Sequence, residues 1–302
     1  MTEATCRTSS TLFESDPGKP MTPPEPPPLL VQDLWEMKRR GTKIAAVVAW
    51  DYQMARLAER AGADIVSVGD SVGVHLWGRS NPLDVTLEEM LLVCKAVRRG
   101  VKRAILSCDF PFGPLQEGEA SAVSAAIRLV KEGGADMVKL DDAPNHLKAL
   151  RAVVDTGVPV FAQFGGSPQG SLRGGLRAAA QAQSSSHAPS DQAEVLVAQA
   201  QALEDAGAAL LDVSNSGPEV GPKVVTAVSI PVLGGAGGGP WLDGRVRMAT
   251  AAVGYEVSSI ESSQDSYATV AATCLAGLSE LVQDIRQGRQ IRGQPGRDSD
   301  KL

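Results

Sequence analysis

The chain has 302 residues, 43% hydrophobic but only 4% aromatic, with 31 glycines and a formal net charge of −6. An acidic balance excludes nucleic acid and anionic membrane as main partners, because both need a basic face. No apolar run reaches the roughly 18–20 residues of a membrane span, and Cys6, Cys94, Cys108 and Cys274 lack disulfide-framework or zinc-site spacing, as expected of a cytoplasmic enzyme.

Residues 1–30 are rich in Ser, Thr and Pro, with Pro26-Pro27-Pro28 close to their end. Such a stretch offers too little apolar side chain to fold, so disorder is expected. No basic start leads into an apolar region, so no secretory signal is expected. From there the chain repeats one unit: a short apolar run, a polar turn, then a helix rich in Ala, Leu and Glu. Strands are predicted at 43–50, 64–68, 103–107, 136–140, 158–162, 208–213 and 230–233, and an eighth within 246–255. Helices are predicted at 55–61, 86–99, 119–132 and 146–155, the second opened by Thr86 with Glu89 at the capping-box position. The pairs Gly62-Ala63, Gly134-Ala135 and Gly207-Ala208 stop helices and launch strands. Residues 170–192 are long and polar, either a lid or a plain insert, and 286–302 read as a loose polar tail.

Strands that alternate with helices require a parallel sheet covered on both sides. A single (β/α)8 TIM-type barrel over residues 31–285 is the expected fold, with an open doubly wound sheet as the alternative. No Gly-x-Gly-x-x-Gly follows the first strand, and the glycine-rich run at 234–239 comes only after the seventh, where it suits a barrel-mouth loop.

Catalytic groups of a barrel project from the C-terminal strand ends. Here those ends carry Asp51, then Asp70-Ser71, Asp109, Lys139 with Asp141-Asp142, Gln163, and Asp212 with Ser214. Carboxylates at three consecutive ends repel one another unless a cation lies among them, and a hard divalent ion such as Mg²⁺ suits oxygen donors. Lys139 and Asp141 share a strand face. Against this stands the plainer reading, in which each Asp caps the next helix and the lysine balances charge in the core. His75, His146 and His187 are expected in a loop, on a helix surface and in the polar insert.

At these positions the sequence resembles the ketopantoate hydroxymethyltransferase family. The resemblance lies in Ala49-Trp50-Asp51-Tyr52, Val68-Gly69-Asp70-Ser71-Val72-Gly73, Asp84 through Met90, Ala96 through Gly100 and Asp109-Phe110-Pro111-Phe112. It continues through Gly134 to Leu140, Gly157-Val158-Pro159-Val160, Ser167-Pro168-Gln169 and Ile230 to Leu233, in family order over residues 43–256. The resemblance implies a barrel of the phosphoenolpyruvate/isocitrate-lyase-like group, and a homo-oligomer. It implies transfer of a one-carbon unit from 5,10-methylenetetrahydrofolate to a 2-oxo acid such as 2-oxoisovalerate, with Mg²⁺ bound. Asp70 and Asp109 would be metal ligands, and Asp141 stands where the family has glutamate. Ser71 and Lys139 would hold substrate.

The departures are as specific. The family's general base is a glutamate in a Leu-Glu-x-Val-Pro setting at the end of strand six, and the ungapped count puts Ser214 there. A serine is no base without help, and Asp212, on the same strand face but further down, is an imperfect substitute. Gln163 replaces a family histidine, Gly78-Arg79-Ser80-Asn81-Pro82 replaces a Gly-His-Asp-Ser-Thr loop, and the late glycine loop differs. Metal site and scaffold are kept while base and pocket change. Catalytic roles are therefore expected for Lys139, Ser214 and Asp212, and substrate contact for Ser71, Lys139 and Gln163. A different reaction on another 2-oxo acid and a non-catalytic, ligand-binding role are the alternatives. The lyase and mutase branch is disfavoured, since its Lys-Lys-Cys-Gly-His-type loop is missing.

Overall fold

Eight strands alternate with helices along the chain: β1 (Ile44–Val48), β2 (Ile65–Val68), β3 (Ile105–Asp109), β4 (Met137–Leu140), β5 (Val160–Gly165), β6 (Leu210–Ser214), β7 (Val232–Leu233) and β8 (Gly244–Met248). The computed structural model describes residues 27–177, 190–235, 237–262 and 265–293. The strands form one sheet in the order β7-β6-β5-β4-β3-β2-β1-β8, every ladder parallel. The seam between β7 and β8 is drawn together by Asp243 N–H donating to the Val232 carbonyl (2.9 Å) and Val246 N–H to that of Gly234 (3.2 Å). A nearly closed (β/α)8 barrel results, not the open sheet.

The helices begin where local chemistry starts them. Helix α1 (Val31–Arg39) precedes the barrel and is tied to its floor by Trp35 Nε1 donating to Ala209 O (2.8 Å). Helix α2 (Tyr52–Arg60) starts earlier than its apolar pattern, because Asp51 accepts from Met54 N–H (2.8 Å) as its N-cap. Thus Asp51 is a cap and not part of the carboxylate cluster. A short turn of helix, α3 (Val72–His75), follows β2, and α4 (Leu87–Arg98) opens with the expected capping box of Thr86 and Glu89. Helices α5 (Glu119–Arg128), α6 (Leu147–Val154), α7 (Pro168–Ser171), α8 (Ala193–Asp205) and α9 (Gly217–Ala227) continue round the wall.

Strands β2, β4 and β6 are buried on both faces, as a covered parallel sheet requires. The arc β7–β8–β1 differs. Among the described residues no helix joins β7 to β8, and β8 is followed by the one-turn α10 (Ala249–Ala252) and a 3-10 turn (Val257–Ile260) before α11 (Val270–Arg286). Outward-facing Ala45, Arg245 and Arg247 are exposed there. The eighth strand lies at the front edge of its predicted window, and residues after Met248 turn helical. Of the polar segment 170–192, residues 170–174 and 190–192 lie in short helical turns, while 178–189, with His187, lie outside the described residues. Most of the 1–30 tail and the end of the 286–302 tail lie outside them as well.

Candidate active site

Two adjoining cavities open at the carboxyl ends of β2–β6. The inner one, about 90 Å³, is lined by Asp70, Ser71, Asp109, Lys139, Asp141 and Gln163 among others. The outer one, about 250 Å³, shares Ser71, Lys139 and Gln163 and adds Asp212, Ser214 and Arg247. All eight residues proposed from sequence for catalysis, substrate or metal therefore meet at one mouth.

Strand register puts them there. In β3 and β4 Asp109 lies beside Lys139, and in β5 and β6 Gln163 lies beside Asp212 and Gly165 beside Ser214. Two glycines permit this crowding. A Cβ on Gly69 would come within 2.8 Å of Ser71 Oγ and 3.3 Å of Val48, and one on Gly165 (φ +89°) within 2.5 Å of the Ser214 carbonyl. Asp142 (φ 51°) and Asn215 (φ 58°) adopt left-handed backbone just past β4 and β6, strain of the kind concentrated at functional sites.

Lys139 is the hub. Its Nζ lies 3.0 Å from Asp212 Oδ2 and 3.5 Å from Asp109 Oδ2, with the side chain almost wholly buried. Burial works against its charge, yet the carboxylates of Asp109 and Asp212 outweigh it and hold the ammonium above its ordinary pKa. The carboxylates pay for that crowding. Burial, then the charges of Asp109 and Asp141, push the Asp70 carboxyl well above the usual range. Burial lifts Asp109 to about 6 in spite of Lys139, and burial raises Asp141 also. One lysine thus leaves the negative charge under-compensated, and added positive charge would be bound favourably.

Asp141 is partly occupied already: its Oδ1 accepts from Asp142 N–H (2.7 Å) and its Oδ2 from Gln169 N–H (3.2 Å). Among the described residues no group of three or more His, Cys, Asp and Glu side chains is spaced to grip one ion as it stands. The donor set fits a hard cation that takes one or two carboxylates and fills its shell with water and substrate oxygens, as Mg²⁺ does. It does not fit a closed all-protein cage.

On the other side, Gln163 Nε2 donates to Ser214 Oγ (3.2 Å). Asp212, only 3% exposed, keeps Oδ2 on Lys139 while its buried Oδ1 has no hydrogen-bond partner. A buried carboxylate oxygen without a donor is costly unless a ligand supplies one.

Sequence reasoning missed two elements. Gln169 reaches the Phe110 carbonyl through Nε2 (3.3 Å) and receives Gln116 Nε2 at its Oε1 (3.3 Å), bracing the wall beside Asp141. The Ser167-Pro168-Gln169 stretch was its only signal. His75, expected in a loop, sits in α3, stacked on Trp50 (centroids 5.8 Å, 8° apart) with Nδ1 3.0 Å from Glu256. No local pattern links those three segments.

The sequence model described as ketopantoate hydroxymethyltransferase matches residues 29–290. A 3-methyl-2-oxobutanoate hydroxymethyltransferase of Pyrococcus abyssi is 36% identical over 265 residues, covering 87% of this chain and 88% of its own. That of Moorella thermoacetica is 34% identical over 257 residues, 85% of this chain and 93% of its own. Among solved structures, 2,3-dimethylmalate lyase, a PEP mutase/isocitrate lyase superfamily member, superposes with a TM-score of 0.56 at 14% identity, covering 91% of this chain and 93% of its own. Phosphonopyruvate hydrolase does so at 0.55 and 15%, covering 88% and 91%. At such identities these structures speak for the fold alone.

Proposed function

The chain belongs to the ketopantoate hydroxymethyltransferase family, and on that premise we propose that it transfers a hydroxymethyl group to a 2-oxo acid with Asp212 as the replacement base. The substrate class is 2-oxoisovalerate or a close analogue, and the one-carbon donor is 5,10-methylenetetrahydrofolate. The observation that carries this reading is the free Oδ1 of Asp212, buried beside Lys139 where the two cavities meet.

Asp70 and Asp109 would hold Mg²⁺, with Asp141 as the third carboxylate of the set. When bound there, the ion supplies Lewis acidity to the carbonyl of the oxo acid and so acidifies its C3. The residues of the chain do the rest. Ser71 and Gln163 line both cavities and orient the acid between them. Lys139 stabilises negative charge developing on the substrate from within a low-dielectric wall. Asp212 Oδ1 takes the C3 proton. Water adds to the donor methylene and both of its C–N bonds break, releasing tetrahydrofolate and leaving the one-carbon unit as formaldehyde. The C3 carbanion adds to that carbonyl, and the resulting alkoxide takes a proton to give the hydroxymethyl group. Ser214, held by Gln163, is too weakly basic to take that proton alone and serves as a hydrogen-bonding group.

The test is proton exchange. Protein incubated with Mg²⁺ and 2-oxoisovalerate in D₂O should lose the C3–H signal by NMR, and adding 5,10-methylenetetrahydrofolate should yield ketopantoate. Exchange without product would keep the enolising site and reassign the electrophile. Absence of exchange with this and other 2-oxo acids would replace the proposal with a ligand-binding role, the reading favoured by the serine at position 214.

A further inference from the structure

Asp109 is the last residue of β3 and is held by the ladder beside Lys139. Asp70 and Asp141 have no such support. They follow the last residues of β2 (Val68) and β4 (Leu140), where backbone pairing has stopped. Burial raises both carboxyls, and the charge of Asp141 raises Asp70 further. Two like charges on two loops move apart unless something ties them together.

One residue reaches both loops. Gln169, buried in the first turn of α7, donates its backbone N–H to Asp141 Oδ2 (3.2 Å). Its side-chain amide hydrogen-bonds the Asp70 carboxyl and favours the charged form there. The same amide donates from Nε2 to the carbonyl of Phe110 (3.3 Å), the residue after Asp109. The three strand ends that carry the carboxylates are thus tied to one residue.

The amide has one workable orientation. Its Oε1 accepts from Gln116 Nε2 (3.3 Å), and Gln116 Oε1 accepts from Gly113 N–H (2.8 Å). Turned round, the Gln169 oxygen would face the Phe110 carbonyl and the Asp70 carboxylate, which offer it no proton. The α7 turn is clamped as well. Ser167 Oγ accepts from Gly170 N–H (3.2 Å), its hydroxyl bonds Asp141, and a Cβ on Gly170 would come within 2.8 Å of Asp142 Oδ1. An apolar side chain would fill the same volume without polar groups to satisfy, so filling space does not account for a buried amide here.

We propose that Gln169 is a positioning residue for the divalent ion, setting the spacing of Asp70 and Asp141 to each other and to Asp109, and through that spacing the affinity for Mg²⁺. The inference rests on the metal role proposed for these carboxylates. Partners that orient metal ligands act at this remove, and losing one weakens metal binding ~10–100-fold.

The test is metal affinity of the full chain, titrated with Mn²⁺ and read by electron paramagnetic resonance of the free ion, with Mg²⁺ as competitor. Gln169→Met keeps the size and the backbone N–H but removes the amide. Its Mn²⁺ affinity should fall ~10–100-fold, and the Mg²⁺ concentration giving half-maximal C3 proton exchange should rise by the same factor. A residue that only supports the fold would lower the melting temperature in EDTA and leave the affinity of the folded protein alone, a result that overturns the inference. Gln116→Ala leaves Gln169 in place but frees its amide to turn, and should weaken Mn²⁺ binding by a smaller factor. If Gln169→Met does not fold, Gln116→Ala decides, and an unchanged affinity in it overturns the inference. Wild-type protein that binds no Mn²⁺ would overturn the metal role itself and this inference with it. Equal binding by wild type and both variants would overturn the inference alone.

Discussion

The two halves of the barrel mouth answer to different constraints. The ends of β2, β3 and β4 present Asp70, Asp109, Lys139 and Asp141, the side on which the family resemblance is closest. The ends of β5 and β6 present Gln163, Asp212 and Ser214, the side on which the sequence reading expects departures from the family. Yet the two halves share one charge network, because Lys139 bridges Asp109 to Asp212. On the proposed function, the difference teaches that substrate capture and proton removal can change separately only as far as that lysine permits. The buried Asp212 carboxylate on the β6 side is tolerable because a buried cation faces it.

The largest effect is expected on the β2–β4 side. Asp70→Ala or Asp109→Ala should abolish Mg²⁺-dependent binding of 2-oxo acid in calorimetry and lower turnover ~10³-fold or more, the scale of losing a main electrostatic stabiliser. Binding that survives undiminished in both variants would remove the metal from the proposal and merge the two halves into one polar pocket.

Next comes the bridge. Lys139→Met strands Asp109 and Asp212 in a buried site, and removal of one partner from such a cluster costs ~3–5 kcal/mol of stability. Denaturant unfolding would read this directly. Asp212→Asn keeps the shape, leaves Lys139 with Asp109, and should be better tolerated. Its cost should fall on chemistry: C3 proton exchange slowed ~10²–10⁴-fold, the range of a general base, with Mg²⁺-dependent binding retained. Exchange that persists in Asp212→Asn would assign the proton to another group and leave the aspartate as a counter-charge.

Legibility in the sequence follows burial. Strands β2 to β6 stood out because they are covered on both faces for most of their length, so apolar residues predominate along them. Strand β8 did not, since Arg245 and Arg247 break the run where this chain leaves the wall uncovered. The Thr86–Glu89 cap was legible because it is local. The carboxylates at the ends of β2, β3 and β4 were legible from strand order alone. The Lys139–Asp212 pair was not, because it joins strands with a third between them and depends on the curvature of the barrel. The stack of Trp50 on His75 and its contact to Glu256 draw on three distant segments, and no spacing rule connects them.

The smallest expected effect is the sharpest test of whether the halves are separable. Ser214→Glu places a carboxylate at a position 8% exposed, next to Gln163 and at the rim of the outer cavity, where the sequence reading puts the family's base. If only the base had changed, the new glutamate should raise ketopantoate formation, by ~10-fold at most, since general-base gains are limited by geometry. The side chain must displace the Gln163 contact and will meet the charge of Asp212 two residues away, so part of the gain is offset by repulsion. Pairing Ser214→Glu with Asp212→Asn removes that repulsion, and the double variant should exceed Ser214→Glu alone. A double variant no better than Asp212→Asn would show that the β5–β6 side has been rebuilt around a different 2-oxo acid, and that one residue does not convert it back.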